Sequence, residues 1–90
     1  MGATVSRDEV LSLVQTQLGE ILERPASEIS EDSEFADLGA DSLALIELVE
    51  ALEENLAEKV AGFHIDDEDL EALTSVRLAV DYVTNRIQSA

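Results

Sequence analysis

The residue best placed to do chemistry in this sequence is Ser42. It follows the glycine-bearing turn Leu38-Gly39-Ala40-Asp41, and it stands at the first position of a helix predicted to run from about Ser42 to Asn55. A helix N-terminus offers unpaired backbone N–H groups and the positive end of the helix dipole, which favour an attached phosphate. Taken alone, such a serine is more often a plain helix cap. The alternative is a serine that another protein approaches and modifies.

Other catalytic groups are scarce. His64 is the only histidine, and nothing in the local sequence brings it to Ser42 for serine–histidine catalysis, so we expect a surface or packing residue. The absence of cysteine excludes disulfides, thiolate catalysis and zinc–thiolate sites. The acidic run Asp66–Asp69 lacks the ligand spacing and central glycine of an EF-hand loop. The sequence therefore predicts neither an enzyme nor a dedicated metal site.

The charge balance limits the partners. Five basic and 21 acidic residues give a net charge of −16, which repels nucleic acid and attracts basic patches on other proteins. Solubility alone is the competing explanation of this acidity. The sequence has no apolar run of membrane-spanning length and no visible signal peptide. We expect a cytoplasmic monomer that binds neither nucleic acid nor membrane.

A first helix is predicted to begin after the capping box Ser6-Arg7-Asp8-Glu9. It should end near Glu23, because Pro25 disfavours helical geometry at the residue before it. Its apolar residues have helical spacing: Val10, Leu11, Val14, Leu18, Ile21 and Leu22. A long connection from about 24 to 40 follows. We expect its apolar residues Ile29, Phe35 and Leu38 to hold it on the core.

The helix that begins at Ser42 has two distinct faces. Its core stripe is predicted to contain Leu45, Leu48, Val49, Leu52 and Leu56. Glu47, Glu50 and Glu54 fall on the opposite face, and Leu43 and Ile46 lie on or beside them. Exposed apolar residues can be incidental. Their place beside Ser42 favours a docking surface with an apolar centre and a charged rim.

The remaining chain predicts two more helices. After Gly62, the acidic run Asp66–Asp69 opens a short helix with Leu70 and Leu73 facing inward. Thr74 or Ser75 caps the last helix, and its apolar stripe contains Val76, Ala79, Val80, Val83 and Ile87. The expected fold is all-α, a four-helix bundle with three longer helices and one short third helix. We expect one domain over 1–90 with a helical core of about 6–88.

This chain resembles the acyl carrier proteins of fatty-acid and polyketide synthesis. The resemblance lies in Leu38-Gly39-Ala40-Asp41-Ser42-Leu43 and in the helix that follows, which contains Glu47-Leu48-Val49 and Ala51-Leu52-Glu53-Glu54. The resemblance covers nearly the whole chain. It implies a free-standing carrier whose Ser42 receives 4'-phosphopantetheine from coenzyme A through a separate phosphopantetheinyl transferase and magnesium. Acyl groups are then carried as thioesters on the thiol of that arm, which fits a chain without cysteine.

The resemblance also assigns roles to particular residues. Asp41 and Ser42 match the modification motif. The positions that match the family's docking surface are Leu43, Ile46, Glu47, Glu53 and Glu54, and Glu50 is counted with them as a partner-binding residue. The expected partners are the transferase, a ketosynthase, an acyltransferase and other biosynthetic enzymes with basic patches. Ile65 and Leu70 match positions that line the channel for the acyl chain.

The sequence departs from the family pattern in three places. The connection Ala57–His64 is longer than usual, Asp66 stands where many relatives have proline, and Glu50 occupies a commonly apolar position. These differences leave the acyl cargo open. Two alternatives also remain: an aminoacyl or peptidyl carrier of nonribosomal peptide synthesis, against which Asp41 and the acidic helix argue, and a small calcium-responsive protein. The Asp-Ser-Leu-Ala-Leu run favours a polyketide or other specialised pathway over fatty-acid synthesis.

Overall fold

The structure is a computed structural model that describes residues 5–89. The helices are α1 (Arg7–Leu22), the single-turn α2 (Phe35–Leu38), α3 (Ser42–Ala57) and α4 (Val76–Ser89), with 3-10 helices at Ala26–Glu28 and Asp67–Ala72. Within the described residues there is no strand, only one isolated antiparallel bridge between Glu34 and Ser75. The all-α prediction, with three longer helices and a short one before the last, is confirmed. The proposed domain limits 1 and 90 lie outside the described residues.

Helix α1 begins and ends where its sequence signals predicted. The Ser6 side chain accepts a hydrogen bond from the Glu9 N–H at 3.2 Å, as an N-cap residue should. The helix ends at Leu22, and Glu23 takes a left-handed conformation with φ 57°. Gly19 allows the chain to turn back closely, because a Cβ there would lie 2.7 Å from the Arg24 carbonyl oxygen.

The connection between α1 and α3 is held on the core by the three predicted residues. Ile29, Phe35 and Leu38 are all buried. The sequence did not predict that this connection contains α2 and a 3-10 helix. Its backbone also pairs with the start of α4, since the Phe35 N–H donates to the Thr74 carbonyl and the Val76 N–H donates to the Ser33 carbonyl, both at 3.0 Å. These bonds fix the segment that precedes Ser42 against the last helix.

The short helix that the sequence predicted before the last helix is a 3-10 helix, Asp67–Ala72, with Asp66 as its N-cap residue. Leu73 at its end is buried and Leu70 is half-buried, so both face inward as predicted. The hydroxyl of Ser75 caps α4 by accepting from the Leu78 N–H at 3.2 Å. On the α4 side, Tyr82 Oη donates to Asp69 at 2.6 Å and Arg86 donates to Asp66 at 2.5 Å. The 3-10 helix is thereby joined to α4.

The core lies between α1, α3 and α4, and α1 packs against both of the other long helices. It is mainly aliphatic, and its aromatic members are Phe35 and Phe63. Its most completely buried large side chains are Val10, Val14, Leu18, Ile29, Leu52, Ile65, Val76, Val80 and Val83. No helix among residues 5–89 is long and apolar enough to cross a membrane.

An ion-pair network closes the bundle where α1 begins. Arg7 donates to Glu31 of the connection and to Asp81 of α4, the latter at 2.9 Å. Arg77 of α4 pairs with Glu31 and Asp32. The hydrogen bond from Arg7 lowers the pKa of Glu31 below its ordinary value, and the two carboxylates raise the pKa of Arg7. These groups link the α1–α3 connection to both terminal helices.

Candidate functional site

The turn before Ser42 redirects the chain from α2 into α3. Gly39 has φ 79° and its N–H donates to the Phe35 and Ala36 carbonyls, which is the left-handed helix ending that glycine favours. Ala40 follows, buried, with its N–H bonded to the Phe35 carbonyl at 2.9 Å. These backbone bonds and the burial of Ala40 give Ser42 a defined position. The glycine signal that predicted the turn is therefore explained by the left-handed conformation of Gly39.

Asp41 is the N-cap residue of α3, and Ser42 is its first residue. The Asp41 carboxylate accepts from the Ala44 N–H at 2.9 Å. Within residues 5–89 the exposed Ser42 hydroxyl makes no hydrogen bond, whereas the hydroxyls of Ser6 and Ser75 each cap a helix. The cap is thus provided by Asp41, which leaves the Ser42 oxygen free. The sequence contained this signal, because aspartate before an apolar helical pattern is a strong N-cap.

The outer surface of α3 carries the apolar and acidic residues that the sequence indicated. Leu43 is 63% exposed and Ile46 is 45% exposed. Glu47, Glu50 and Glu54 are also exposed. We call these five residues the α3 outer face. Two large apolar side chains surrounded by carboxylates make a surface with an apolar centre and an acidic rim, next to Ser42.

Glu53 differs from the other acidic residues of α3. Its side chain is only 27% exposed. One carboxylate oxygen accepts from the backbone N–H of Ile65 at 2.8 Å, and Nδ1 of His64 lies 2.8 Å from the same oxygen. The sequence grouped Glu53 with the docking positions, and the structure places it against the segment that leads into the 3-10 helix. Sequence spacing could not reveal this contact, because it joins two separate elements.

The clefts along α3 on the side of the 3-10 helix include two that share residues. The Ser42 cleft, of about 240 Å³, is lined by Ser42, Leu45, Ile46, Leu70 and Glu71. The distal cleft is lined by Ile46, Val49, Glu50, Glu53, His64 and Leu70. Ile46 and Leu70 belong to both clefts. Ile65 lines neither of them, since its side chain is only 1% exposed and lies in the core.

Comparison with known proteins identifies the family. Residues 12–83 match the family described as "Phosphopantetheine attachment site". The chain belongs to the acyl carrier protein family. It is 39% identical over 80 residues to the "Acyl carrier protein" of Nitratidesulfovibrio vulgaris strain DP4, a match that covers 88% of this chain and 93% of the relative. The "Acyl carrier protein" of strain Hildenborough of the same species matches equally well.

Membership of the acyl carrier protein family has two direct consequences. The protein is a carrier of acyl groups and not an enzyme, and its cofactor is phosphopantetheine. In the structure, His64 does not lie beside Ser42. It contacts Glu53, which is eleven residues further along α3 than Ser42. Within residues 5–89, no group of three or more acidic, histidine or cysteine side chains could hold a metal ion.

The start of α3 fits a phosphopantetheine attachment chemically. The Asp41 carboxylate accepts the hydrogen bond of the Ala44 N–H. The N–H groups of Ser42 and Leu43 also belong to the first turn, whose donors have no partner inside a helix. They can donate to phosphate oxygens, and the helix dipole adds a favourable field. The Ser42 cleft beside them offers the apolar side chains of Leu45, Ile46 and Leu70 to an attached group.

Proposed function

We propose that residues 5–89 form a single carrier domain and that Ser42 carries the 4'-phosphopantetheine arm of this acyl carrier protein. The observation that carries the assignment is the exposed Ser42 hydroxyl, which has no hydrogen bond among residues 5–89 and stands at the first residue of a helix whose cap is supplied by the neighbouring Asp41. In the modification, the Ser42 oxygen forms a new bond to the phosphorus of the coenzyme A arm. The serine proton is lost and adenosine bisphosphate leaves. The activating base and magnesium belong to the separate transferase.

The α3 outer face is the proposed docking surface for that transferase and for later partners such as a ketosynthase and an acyltransferase. The carboxylates of Glu47, Glu50 and Glu54 attract basic patches and accelerate encounter. Leu43 and Ile46 supply a small apolar contact. A contact of this size keeps each encounter short, as successive transfer between enzymes requires. Glu53 contributes to the field of α3, but its carboxylate is already engaged by His64 and Ile65.

The Ser42 cleft is the proposed entry for an acyl chain that turns back from the arm. It is apolar near the serine because of Leu45, Ile46 and Leu70. The buried Ile65 lies in the core at the base of the segment that leads to Leu70. Burying methylene groups there removes apolar surface from water, which stabilises the loaded protein.

The proposed pathway is a polyketide or other specialised pathway, with fatty-acid synthesis as the alternative, and the proposed compartment is the cytoplasm. The Asp41–Leu45 sequence, Asp-Ser-Leu-Ala-Leu, supports the first choice. Asp41 at the cap and the acidic α3 outer face support an acyl carrier over an aminoacyl or peptidyl carrier. The relatives are named for their acyl carrier role alone.

Intact-mass measurement tests the attachment. The protein is incubated with coenzyme A, magnesium and a broad-specificity phosphopantetheinyl transferase, alongside Ser42→Ala and Ser75→Ala. Ser75 is a matched control, because it is also a serine at a helix start but its hydroxyl is bonded. We expect one phosphopantetheine mass gain in wild type and Ser75→Ala, and none in Ser42→Ala. No gain in folded wild type with several transferases would refute the assignment.

A further inference from the structure

We propose that Glu53 is a positioning residue that holds the far end of the acyl-chain groove closed, and so sets the length of chain that the groove accepts. The groove consists of the Ser42 cleft and the distal cleft together. We call the contact of the Glu53 carboxylate with the Ile65 N–H and His64 Nδ1 the Glu53 clasp. The groove's role rests on the proposed function, whereas the clasp itself is a feature of the unmodified chain.

The Glu53 clasp satisfies a backbone donor that no regular structure serves. Ile65 lies between the turn at Gly62 and the 3-10 helix, in a stretch without helical hydrogen bonds. Its side chain is buried, and a backbone N–H beside a buried side chain requires a partner. An ionised carboxylate that accepts this bond makes a charge-assisted hydrogen bond, which is stronger than one between neutral groups. The clasp therefore fixes the chain one residue before Asp66, the N-cap of the 3-10 helix.

The two sides of the 3-10 helix are attached differently. Towards α4 it is held by two side-chain bonds, from Tyr82 to Asp69 and from Arg86 to Asp66. Towards α3, the Glu53–Ile65 bond is the only hydrogen bond that a side chain of α3 makes to residues 58–75 in the described part of the chain. Loss of the clasp would therefore leave this segment held to α3 by apolar packing alone, while its hydrogen bonds to α4 persist. The gap that widens is the groove.

The position of the clasp relates it to chain length. Glu53 and His64 line the distal cleft, and Leu70 separates that cleft from the Ser42 cleft by lining both. Eleven residues of α-helix separate Ser42 from Glu53, a distance of about 16 Å along the axis. A short chain needs only the apolar part near Leu45 and Leu70. A long chain must pass Leu70 and reach the polar pair Glu53–His64, where it requires the clasp to open.

Glu53→Ala and Glu54→Ala form a matched pair for the test. Both remove one carboxylate from adjacent positions of α3, and only Glu53 is engaged by the Ile65 segment. Amide hydrogen exchange is measured on the unmodified proteins. We expect the Ile65 amide to exchange about tenfold faster or more in Glu53→Ala, with Glu54→Ala unchanged. Glu53→Gln, whose amide oxygen still accepts the bond, should be intermediate and remains informative if Glu53→Ala fails to fold. Equal Ile65 protection across the set would overturn the proposal.

Chain-length dependence separates a groove role from plain stability. Each variant is loaded with octanoyl and dodecanoyl groups from the corresponding acyl-coenzyme A, and melting temperatures are compared. For each variant, the quantity of interest is the melting temperature with dodecanoyl minus the melting temperature with octanoyl. We expect this difference to be larger in Glu53→Ala, or in Glu53→Gln, than in wild type and Glu54→Ala. The same length dependence in all variants would overturn the proposal even if the Ile65 amide exchanges faster. If no transferase loads the protein, the proposed function fails, and the exchange measurement still decides whether the clasp exists.

Discussion

Replacing Asp41 separates its two contributions, capping of α3 and negative charge beside Ser42. In Asp41→Ala, the Ala44 N–H loses the acceptor that lies 2.9 Å away. Loss of an N-cap costs about 1 kcal/mol of folding free energy, within a range of about 0.5–2 kcal/mol. Loss of a favourable charge at the helix start adds about 0.3–1 kcal/mol. The expected total is about 1–2 kcal/mol.

A loss of this size is large for a small domain. For proteins of this length, each kcal/mol corresponds to a fall in melting temperature of about 4–8 °C, so Asp41→Ala should melt roughly 5–15 °C lower than wild type. Asparagine is as good an N-cap as aspartate, so Asp41→Asn should retain most of the stability and lose only the charge contribution. The net charge of −16 further reduces that loss, because removing one acid relieves repulsion.

Thermal and urea unfolding followed by circular dichroism measure the two variants. Ser75→Ala is the control for loss of a cap elsewhere, since it removes the corresponding bond at α4. If Asp41→Asn is destabilised as much as Asp41→Ala, capping is not what Asp41 contributes and the reasoning fails. With both stabilities known, modification rates of the folded Asp41→Asn protein then report the effect of charge beside Ser42 by itself.

Three further predictions concern other parts of the molecule. Glu47→Lys reverses a charge on the α3 outer face and should slow modification by a transferase severalfold with the helical spectrum unchanged; an unaltered rate would mean that partners use another surface. Glu31 has a lowered pKa because of its bond from Arg7, so its contribution is complete above its ordinary pKa of 4.5 and is lost as the pH falls through the folded value. Wild type should therefore exceed Glu31→Gln in stability at neutral pH and approach it in acid, as urea titrations at several pH values can check; a constant difference would contradict the ion-pair explanation. Leu52→Ala empties a buried position of α3 and should cost about 2–5 kcal/mol of unfolding free energy in urea titration, whereas a loss below 1 kcal/mol would show that the core closes around the gap.

Local sequence signals were sufficient to predict the positions of most of the helices. The capping residues Ser6 and Ser75, the proline after α1 and the apolar periodicity of α3 and α4 act within a few residues of the structure that they define. The exposure of Leu43 and Ile46 followed from their angular position on α3. The same reasoning left the 24–40 connection without its short helices, because α2 is one turn long and depends on the packing of Phe35 and Leu38.

Contacts between distant residues could not be read in this way. Arg7 and Asp81 are 74 positions apart, and neither position carries a local signal of its partner. Glu53 looks like its neighbours Glu50 and Glu54 in sequence, and only the path of the chain after Gly62 brings Ile65 and His64 to it. Leu70 likewise lines both clefts only because the 3-10 helix lies beside α3, which the sequence did not predict.

The sequence by itself determined the all-α fold, the exposed serine at the start of α3 and the acidic surface beside it. These features depend on short-range hydrogen bonding, on helical periodicity and on charge, all of which are local. The tertiary structure decided which carboxylate turns inward, where the clefts run and how the 3-10 helix is attached. Those depend on the close packing of segments that are far apart in the chain, where small differences in position select one contact over another.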